Sequence, residues 1–210
     1  YAEGVIPESG PGDLGSRWQL RQIALRMWPA ATALQEVITA LFNLVRETDV
    51  KFADVARVRL SLSKTPFDMH GGFSTYAAKF EALLSAHYVT GVYLRDRTVT
   101  LDQFEPSCYD APELRAFAAE KVEILHDPSL KNGQAIAEVT TVDGATLRAR
   151  CDHPLGSPEN AMTQAQVEEK FRTYAEGRLP ASRAEEAIAT VRDLERLGST
   201  RKLLALLRAS

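Results

Sequence analysis

The amino-acid sequence predicts an α+β fold in which helices pack with a small, mostly antiparallel sheet. Three observations support this class: apolar residues at helical spacing, a run with strand-like alternation, and a turn signal between two β-prone runs. Strands alternating regularly with helices would instead favour a parallel sheet. With 210 residues, 45% of them hydrophobic, the chain is long enough to bury the core of one domain or of two small ones.

The amino-terminal elements are predicted from the spacing at which apolar residues recur, which changes along the chain. Residues 1–15 are rich in Gly, Pro and acidic residues without a sustained period, so we expect a linker there and the domain in residues 16–210. From Pro29, apolar residues recur at helical spacing as far as Val45 and predict a long helix. Alternation of apolar and polar residues over 57–62 then predicts a strand with one solvent-facing side.

The middle of the chain is predicted to contain two helices and a strand. After a predicted loop at residues 70–72, apolar residues trace one helical face over 80–91, with Ser74 or Thr75 as its cap. A shorter helix is predicted for 112–120. The apolar run that follows it, Val122 to Leu125, predicts a buried strand.

An antiparallel hairpin is predicted between Gln134 and Cys151. Two β-prone runs are joined there by Asp143-Gly144, a pair that tolerates the positive φ angles of a tight turn. In the second arm, alternate residues face opposite sides of the sheet.

The carboxy-terminal third is predicted to be helical. Thr163-x-x-Gln166 has the spacing of a capping box and predicts the start of one helix. Ser182-x-x-Glu185 has the same spacing and predicts the start of a second helix, which Gly198 would end. A last short, leucine-rich helix follows.

Composition disfavours several classes of function. The 25 basic and 28 acidic residues give a formal charge of -3, so no general electrostatic attraction to nucleic acid or an anionic membrane is expected. Cys108 and Cys151 have neither a disulfide-framework nor a metal-ligand spacing, and we expect no metal. A glycine-rich phosphate loop is missing, and the apolar stretches are shorter than a membrane span. We therefore expect a cytoplasmic protein without a nucleotide cofactor.

Four segments carry a resemblance to a known family when they are taken in order. They are Leu14-Gly15-Ser16-Arg17-Trp18 with Arg26-Met27-Trp28-Pro29; Ala78-Lys79-Phe80 with Leu101-Asp102-Gln103-Phe104; Lys121-Val122 through Asp127 with the Asp143-Gly144 hairpin; and Gly156 through Thr163 with Lys170-Phe171-Arg172. Together they resemble the second, carboxy-terminal domain of the MmgE/PrpD family, which includes 2-methylcitrate dehydratase and cis-aconitate decarboxylase.

The resemblance implies an activity that this chain shares with a further domain. It implies a lyase or isomerase (a dehydratase, decarboxylase or epimerase) that acts on small polycarboxylic acids without a cofactor. In such a protein a larger, all-helical amino-terminal domain carries much of the acid/base machinery, and the present domain acts as a lid. We therefore expect this chain to be inactive without that domain, and the whole protein to form a homodimer.

Three residues are predicted to bind substrate. Arg26 stands where the family usually has lysine, and its guanidinium suits a carboxylate, although a surface or interdomain ion pair is the commoner role. His70 adjoins Gly71-Gly72, whose amides can approach an anion, although a loop histidine is usually solvated. Lys79 can reach a carboxylate, although most lysines extend into solvent. No catalytic residue is assigned.

Four departures from the family pattern leave a second hypothesis open. Ala31 and Gln35 stand where the resemblance implies histidines, Glu81 where it implies serine, and Leu84 where it implies tyrosine. An amide does not titrate near neutral pH, and alanine and leucine offer no acid/base group. The alternative is a non-catalytic paralogue, or an interaction or dimerisation module of the same fold.

Two further predictions concern side-chain environment. His87 lies on an apolar stripe and is predicted to be a hydrogen-bonded core residue, and Trp28 is predicted to pack rather than to catalyse. The pairs Arg57/Arg59 and Arg148/Arg150 form basic stripes on strand faces, which we interpret as solvated faces first and as surfaces for a partner domain second.

Overall fold

The computed structural model describes residues 15, 16 and 18–208. Most of the predicted linker, together with Leu14 and Arg17 of the first family-like segment, lies outside these residues. The chain divides into two compact units, with the boundary between Ala161 and Met162.

The first unit contains the sheet and most of the helices. Its elements in chain order are α1 (Gln35–Thr48), β1 (Val55–Leu62), α2 (Lys64–His70), α3 (Lys79–Leu84), α4 (Ala86–Asp96), α5 (Pro106–Tyr109), α6 (Pro112–Glu120), β2 (Val122–His126), β3 (Ala135–Thr141) and β4 (Thr146–Cys151). The second unit contains α7 (Gln164–Ala175), α8 (Ala181–Arg192) and α9 (Arg201–Leu206).

The four strands form one mixed sheet in the order β2-β1-β3-β4. β1 pairs parallel with β2, whereas the β1–β3 and β3–β4 pairs are antiparallel. The parallel pair requires a long connection, and helices α2 to α6 supply it. The predicted α+β class with a small, mostly antiparallel sheet is confirmed, as is the hairpin around Gly144, whose φ is 88°.

Helices α1, α4 and α6 cover one face of the sheet. The apolar stripe of α1 is fully buried at Leu34, Ile38 and Leu41, and the inward residues of β1, including Leu60 and Leu62, are buried too. Each fully buried aliphatic side chain stabilises the fold by about 1.5–3 kcal/mol before conformational entropy is subtracted. This layer fixes the position of the amino end of α1.

The first helix begins six residues later than predicted. It starts at Gln35 rather than at Pro29, after a 3-10 turn at Thr32–Leu34. The Gln35 side chain hydrogen-bonds the backbone of the preceding segment, and Ala31 has an extended ψ of 151°. These hydrogen bonds, which we call the Gln35 clamp, take the place of the first helical turn that was predicted.

The helix predicted over residues 80–91 is two helices. The backbone of Ser85 is extended, and its hydroxyl accepts a hydrogen bond from the Tyr88 N–H at 2.9 Å, which caps α4. Ala78 precedes α3, so neither Ser74 nor Thr75 is the cap, and Phe80 is 70% exposed. A serine that competes for backbone hydrogen bonds ends the first helix.

A short helix occupies the segment that was predicted to lead into a loop. α2 ends at His70, and the Gly71 N–H continues the pattern by donating to the Phe67 carbonyl at 2.9 Å. A Cβ on Gly71 would lie 2.7 Å from that carbonyl oxygen, so only glycine fits there.

The opposite face of the sheet carries charges of both signs. Glu123 on β2 accepts hydrogen bonds from Arg57 at 2.7 Å and from Arg59 at 2.9 Å, both on β1. The predicted basic stripe on β1 is therefore partly neutralised. β2 confirms the strand predicted there, but it lies at the sheet edge and buries only Val122, so the predicted burial was wrong.

The second unit confirms one predicted helix start and corrects another. Thr163 and Gln166 form the predicted capping box of α7. α8 begins at Ala181 after Pro180, without a side-chain cap, and ends at Arg192, six residues before Gly198.

None of the helices in the described part of the chain has the length and apolar character needed to cross a lipid bilayer. The cytoplasmic location stays a prediction.

Candidate functional site

A cavity of about 520 Å³ lies where the amino end of α1, the carboxyl end of α2 and the loop before β3 meet. Its polar lining includes Glu36 from α1, His70 from α2, and Asn132 and Gly133 from the loop. We call it the Glu36 cavity. It falls within the size range of small-molecule sites, and it combines an apolar wall with a few polar groups.

Glu36 is a buried carboxyl group without a full set of hydrogen bonds. Its side chain is 4% exposed, and its Oε1 has no hydrogen-bond partner among the described residues. Burial raises the pKa of Glu36 to about 8, although the Gly133 backbone amide acts in the opposite direction. Since this value lies above neutrality, Glu36 is mostly a neutral carboxylic acid at pH 7, able to donate a hydrogen bond.

His70 is held in one orientation by the backbone. It is 2% exposed, and its Nδ1 lies 2.8 Å from the carbonyl oxygen of Leu84. A carbonyl only accepts, so in the neutral ring Nδ1 carries the proton and Nε2 is the acceptor. Burial lowers the pKa of His70, which keeps the ring neutral at pH 7. His70 is thus a buried residue at the end of a helix, so its predicted placement in a loop was wrong, whereas its role in substrate binding stays a prediction.

The loop before β3 adds neutral hydrogen-bonding groups. The Ser63 hydroxyl donates to Oδ1 of Asn132 at 3.0 Å, which orients the amide and leaves its Nδ2 hydrogens to other acceptors. The Asn132 amide and the protonated Glu36 carboxyl group are therefore the uncharged hydrogen-bond donors of the cavity. No lysine or arginine of the described chain lines it.

Arg26 and Lys79 lie outside the Glu36 cavity. Arg26 is exposed, with Nη1 3.5 Å from the Ala30 carbonyl oxygen. Lys79 is exposed at the start of α3 and forms an ion pair with Glu105. Of the three predicted binding residues, only His70 lines the cavity, so the structure does not bring the three together within this chain.

The four positions that depart from the family pattern have different environments. Ala31 and Leu84 line the Glu36 cavity. Gln35 is buried next to the cavity and forms the Gln35 clamp: its Nε2 donates to the Trp28 carbonyl at 3.1 Å, and its Oε1 accepts from the Trp28 N–H at 3.3 Å. Glu81 accepts a hydrogen bond from the Ala77 N–H at 2.6 Å. The apolar pair therefore adjoins the candidate site, whereas the polar pair stabilises local structure.

Trp28 and His87 belong to the core. Trp28 is 5% exposed and packs against Phe42 and Tyr93, as predicted. His87 is buried, but its Nδ1 has no hydrogen-bond partner among the described residues, so only the burial was predicted correctly. Burial lowers the pKa of His87 to about 4.

Glu36 was missed in the sequence because periodicity places it beside the apolar stripe of α1. A charged residue at such a position is ordinarily solvent-facing. In the structure residues of α2 and of the loop at 132–133 line the same cavity as Glu36, although they are distant from it in the sequence. The signal that the sequence offered was the position of Glu36 between the apolar residues Leu34 and Val37.

A second cavity, of about 330 Å³, lies within the α7–α9 unit and is mainly apolar. Its acidic residue Glu168 is ion-paired with Arg192, so it offers no unpartnered polar group like Glu36. Across residues 15, 16 and 18–208, no group of three His, Cys, Asp or Glu side chains is placed to hold a metal ion. The Glu36 cavity is therefore the better candidate site.

Known proteins resemble this chain over most of its length. A model of the MmgE/PrpD C-terminal domain matches residues 28–196. The cis-aconitate decarboxylase-like protein oryM of Aspergillus oryzae is 26% identical over 213 residues, covering 96% of this chain and 44% of that protein. The human cis-aconitate decarboxylase is 31% identical over 135 residues, covering 62% of this chain and 28% of that protein. The chain spans less than half the length of either relative.

Proposed function

The chain belongs to the MmgE/PrpD family as a carboxy-terminal domain, and from this premise we propose that it forms part of a lyase acting on small polycarboxylic acids. In this proposal the Glu36 cavity is one wall of the substrate site. The observation that carries it is a buried carboxyl group, one oxygen of which has no hydrogen-bond partner among the described residues, in the same cavity as an oriented histidine. Perturbed titratable groups in a cavity are typical of functional sites.

The relatives' names indicate the reaction class to test first. Both include cis-aconitate decarboxylase, a name that describes the loss of one carboxylate from cis-aconitate as CO₂. The bonding electrons left on carbon must then be taken up by a proton, so the reaction needs a positioned proton donor. A further acid/base group would come from the upstream helical domain that the family resemblance implies.

In this proposal, Arg26 and Lys79 face the upstream domain. Both are exposed in this chain, and a polycarboxylate carries more negative charge than the neutral donors of the Glu36 cavity can hold. Cations at the edge of a site formed with the upstream domain would bind the additional carboxylates. His70 would contact the ligand within the cavity.

A second candidate function is ligand binding or assembly without turnover. It is favoured by Ala31 and Leu84, which line the cavity with apolar side chains where the resemblance implies acid/base residues. Such a module would keep the fold and its contacts, including the homodimer that the resemblance implies, but would not release CO₂.

The experiment compares this chain with the same chain joined to its upstream polypeptide. Both proteins are incubated with cis-aconitate, and CO₂ release and the hydration of the double bond are measured; sedimentation equilibrium gives the oligomeric state. The proposal predicts turnover by the longer, dimeric protein and none by this chain alone. A longer protein that binds cis-aconitate but leaves it unchanged would support the second candidate instead.

A further inference from the structure

We propose that Glu36 binds a carboxylate of the ligand as a neutral hydrogen-bond donor, so that the ligand binds only while Glu36 keeps its proton. This inference rests on the proposed function, because it names the chemistry by which the Glu36 cavity would recognise a polycarboxylate. It adds a specificity-determining residue that neither the predicted site nor the family pattern contains.

The geometry leaves one hydrogen bond of Glu36 unmade. Glu36 is in the first turn of α1, 4% exposed, and Oε1 has no partner among the described residues although its side chain lines the cavity. A buried polar atom without a partner destabilises the protein, because it has lost its hydrogen bonds to water. A ligand oxygen in the cavity would remove this destabilisation on binding.

The surroundings of Glu36 favour its neutral form. The titratable groups that face it are His70 at the end of α2 and Cys151 on β4. Burial lowers the pKa of His70 and raises the pKa of Cys151 to about 12, so both are uncharged at pH 7. The charged side chains of α2, Lys64 and Asp68, pair with each other at 2.8 Å on the exposed surface. No opposite charge therefore offsets the desolvation of a Glu36 carboxylate.

A ligand carboxylate fits this arrangement better than a ligand cation. A cation would need an ionised Glu36, which burial disfavours. A carboxylate that accepts from the Glu36 hydroxyl makes a charge-assisted hydrogen bond, and the Asn132 amide can donate to the same ligand. The Nε2 atom of His70 is an acceptor, so it would suit a hydroxyl group of the ligand.

This mode of binding couples affinity to pH. Below the pKa of Glu36, at about 8, the donor is already protonated and affinity is independent of that group. Above it the carboxylate form dominates and must take up a proton to bind. The affinity then falls by up to about tenfold for each further pH unit.

The test measures the binding of propane-1,2,3-tricarboxylate, a saturated analogue of cis-aconitate that lacks the double bond, to this chain joined to its upstream polypeptide. Isothermal titration calorimetry is used between about pH 7 and about pH 9, where the ligand keeps a constant charge. Wild-type affinity should fall above about pH 8. Glu36→Gln keeps a neutral donor and should bind at pH 7 within about threefold of wild type but without the pH dependence. Glu36→Ala should bind about tenfold or more weakly.

The control is Glu47→Gln, which changes an exposed carboxyl on the same helix and should match wild type throughout. Wild-type affinity that stays constant above pH 8, or a Glu36→Gln variant that keeps the pH dependence, would overturn the inference. The proposed function fails by a separate result, which is a longer protein that neither binds nor converts cis-aconitate.

Discussion

At the scale of single residues, tertiary contacts determine which polar side chains matter. The sequence identified His70, but its burial and its bond to the Leu84 carbonyl arise from α2, which was not predicted. Glu36 could not be predicted as a site residue because the residues that bury it are distant in the chain. Gln35 was correctly identified as a departure from the family pattern, but its hydrogen bonds to the Trp28 backbone depend on the folded path of residues 28–35 and could not be predicted.

The buried carboxyl of Glu36 should make the stability of the fold depend on pH. Its folded pKa, about 8, exceeds the ordinary value of 4.5, so between these values the unfolded chain loses the proton and the folded chain keeps it. Stability is therefore lost as pH rises through this window. The free energy of unfolding of Glu36→Gln relative to wild type should rise with pH by up to about 1.4 kcal/mol per unit.

Urea denaturation at several pH values measures this difference, with Glu47→Gln as the matched exposed variant. A difference between Glu36→Gln and wild type that stays constant from about pH 5 to about pH 8 would show that Glu36 has an ordinary pKa.

Arg26 supports a prediction for the complete protein. If its guanidinium binds a ligand carboxylate, Arg26→Ala should weaken cis-aconitate binding by about 1.5–3 kcal/mol, since it removes a hydrogen bond to a charged group. Arg46, exposed at the end of α1, provides the control substitution Arg46→Ala. Equal affinities of the two variants and wild type would remove Arg26 from the site.

At the scale of elements, local sequence determines helix and strand type better than helix ends. The period of two fixes β1, the Asp143-Gly144 turn fixes the β3–β4 hairpin, and the bounds of α6 agree with the prediction. The errors occur where side chains compete for the backbone, as Gln35 does before α1 and Ser85 does between α3 and α4. Such competition depends on burial, which periodicity does not show.

The packing of α4 on α6 gives a prediction at this scale. A Cβ added to Gly91 would lie 3.1 Å from Cδ1 of Phe117 and 3.3 Å from Cδ2 of Leu114, and both side chains are buried. Alanine favours a helix by about 1 kcal/mol over glycine, but overpacking costs about 1–3 kcal/mol. We therefore expect Gly91→Ala to be destabilising by about 1 kcal/mol in thermal or urea unfolding.

Gly72→Ala is the control for this substitution, because no atom lies within 4 Å of the added Cβ. Its stability should stay within about 0.5 kcal/mol of wild type. Gly91→Ala that is as stable as Gly72→Ala would mean that α4 and α6 have room to separate.

At the scale of the whole molecule, our proposal is that the chain provides one side of a site and that further catalytic groups come from the upstream domain. The Glu36 cavity has neutral donors and an oriented acceptor, whereas the exposed cations Arg26 and Lys79 are outside it. The family could be predicted from four motifs that occur in the family's order along the chain, and the fold class from the spacing of apolar residues. The site could not, because it depends on how α1, α2 and the loop before β3 meet.

The most direct test of this account is a titration of the ¹⁵N-labelled chain with cis-aconitate, followed by ¹H–¹⁵N correlation spectra at pH 7. We predict saturable shifts of the backbone amides of Glu36, Gly133 and Asn132 and of the His70 ring nitrogens. The shifts at Gly133, Asn132 and His70 should be much smaller in Glu36→Ala at equal ligand concentration. Shifts confined to other surfaces, or equal shifts in Glu36→Ala and wild type, would contradict the assignment of the Glu36 cavity as the ligand site.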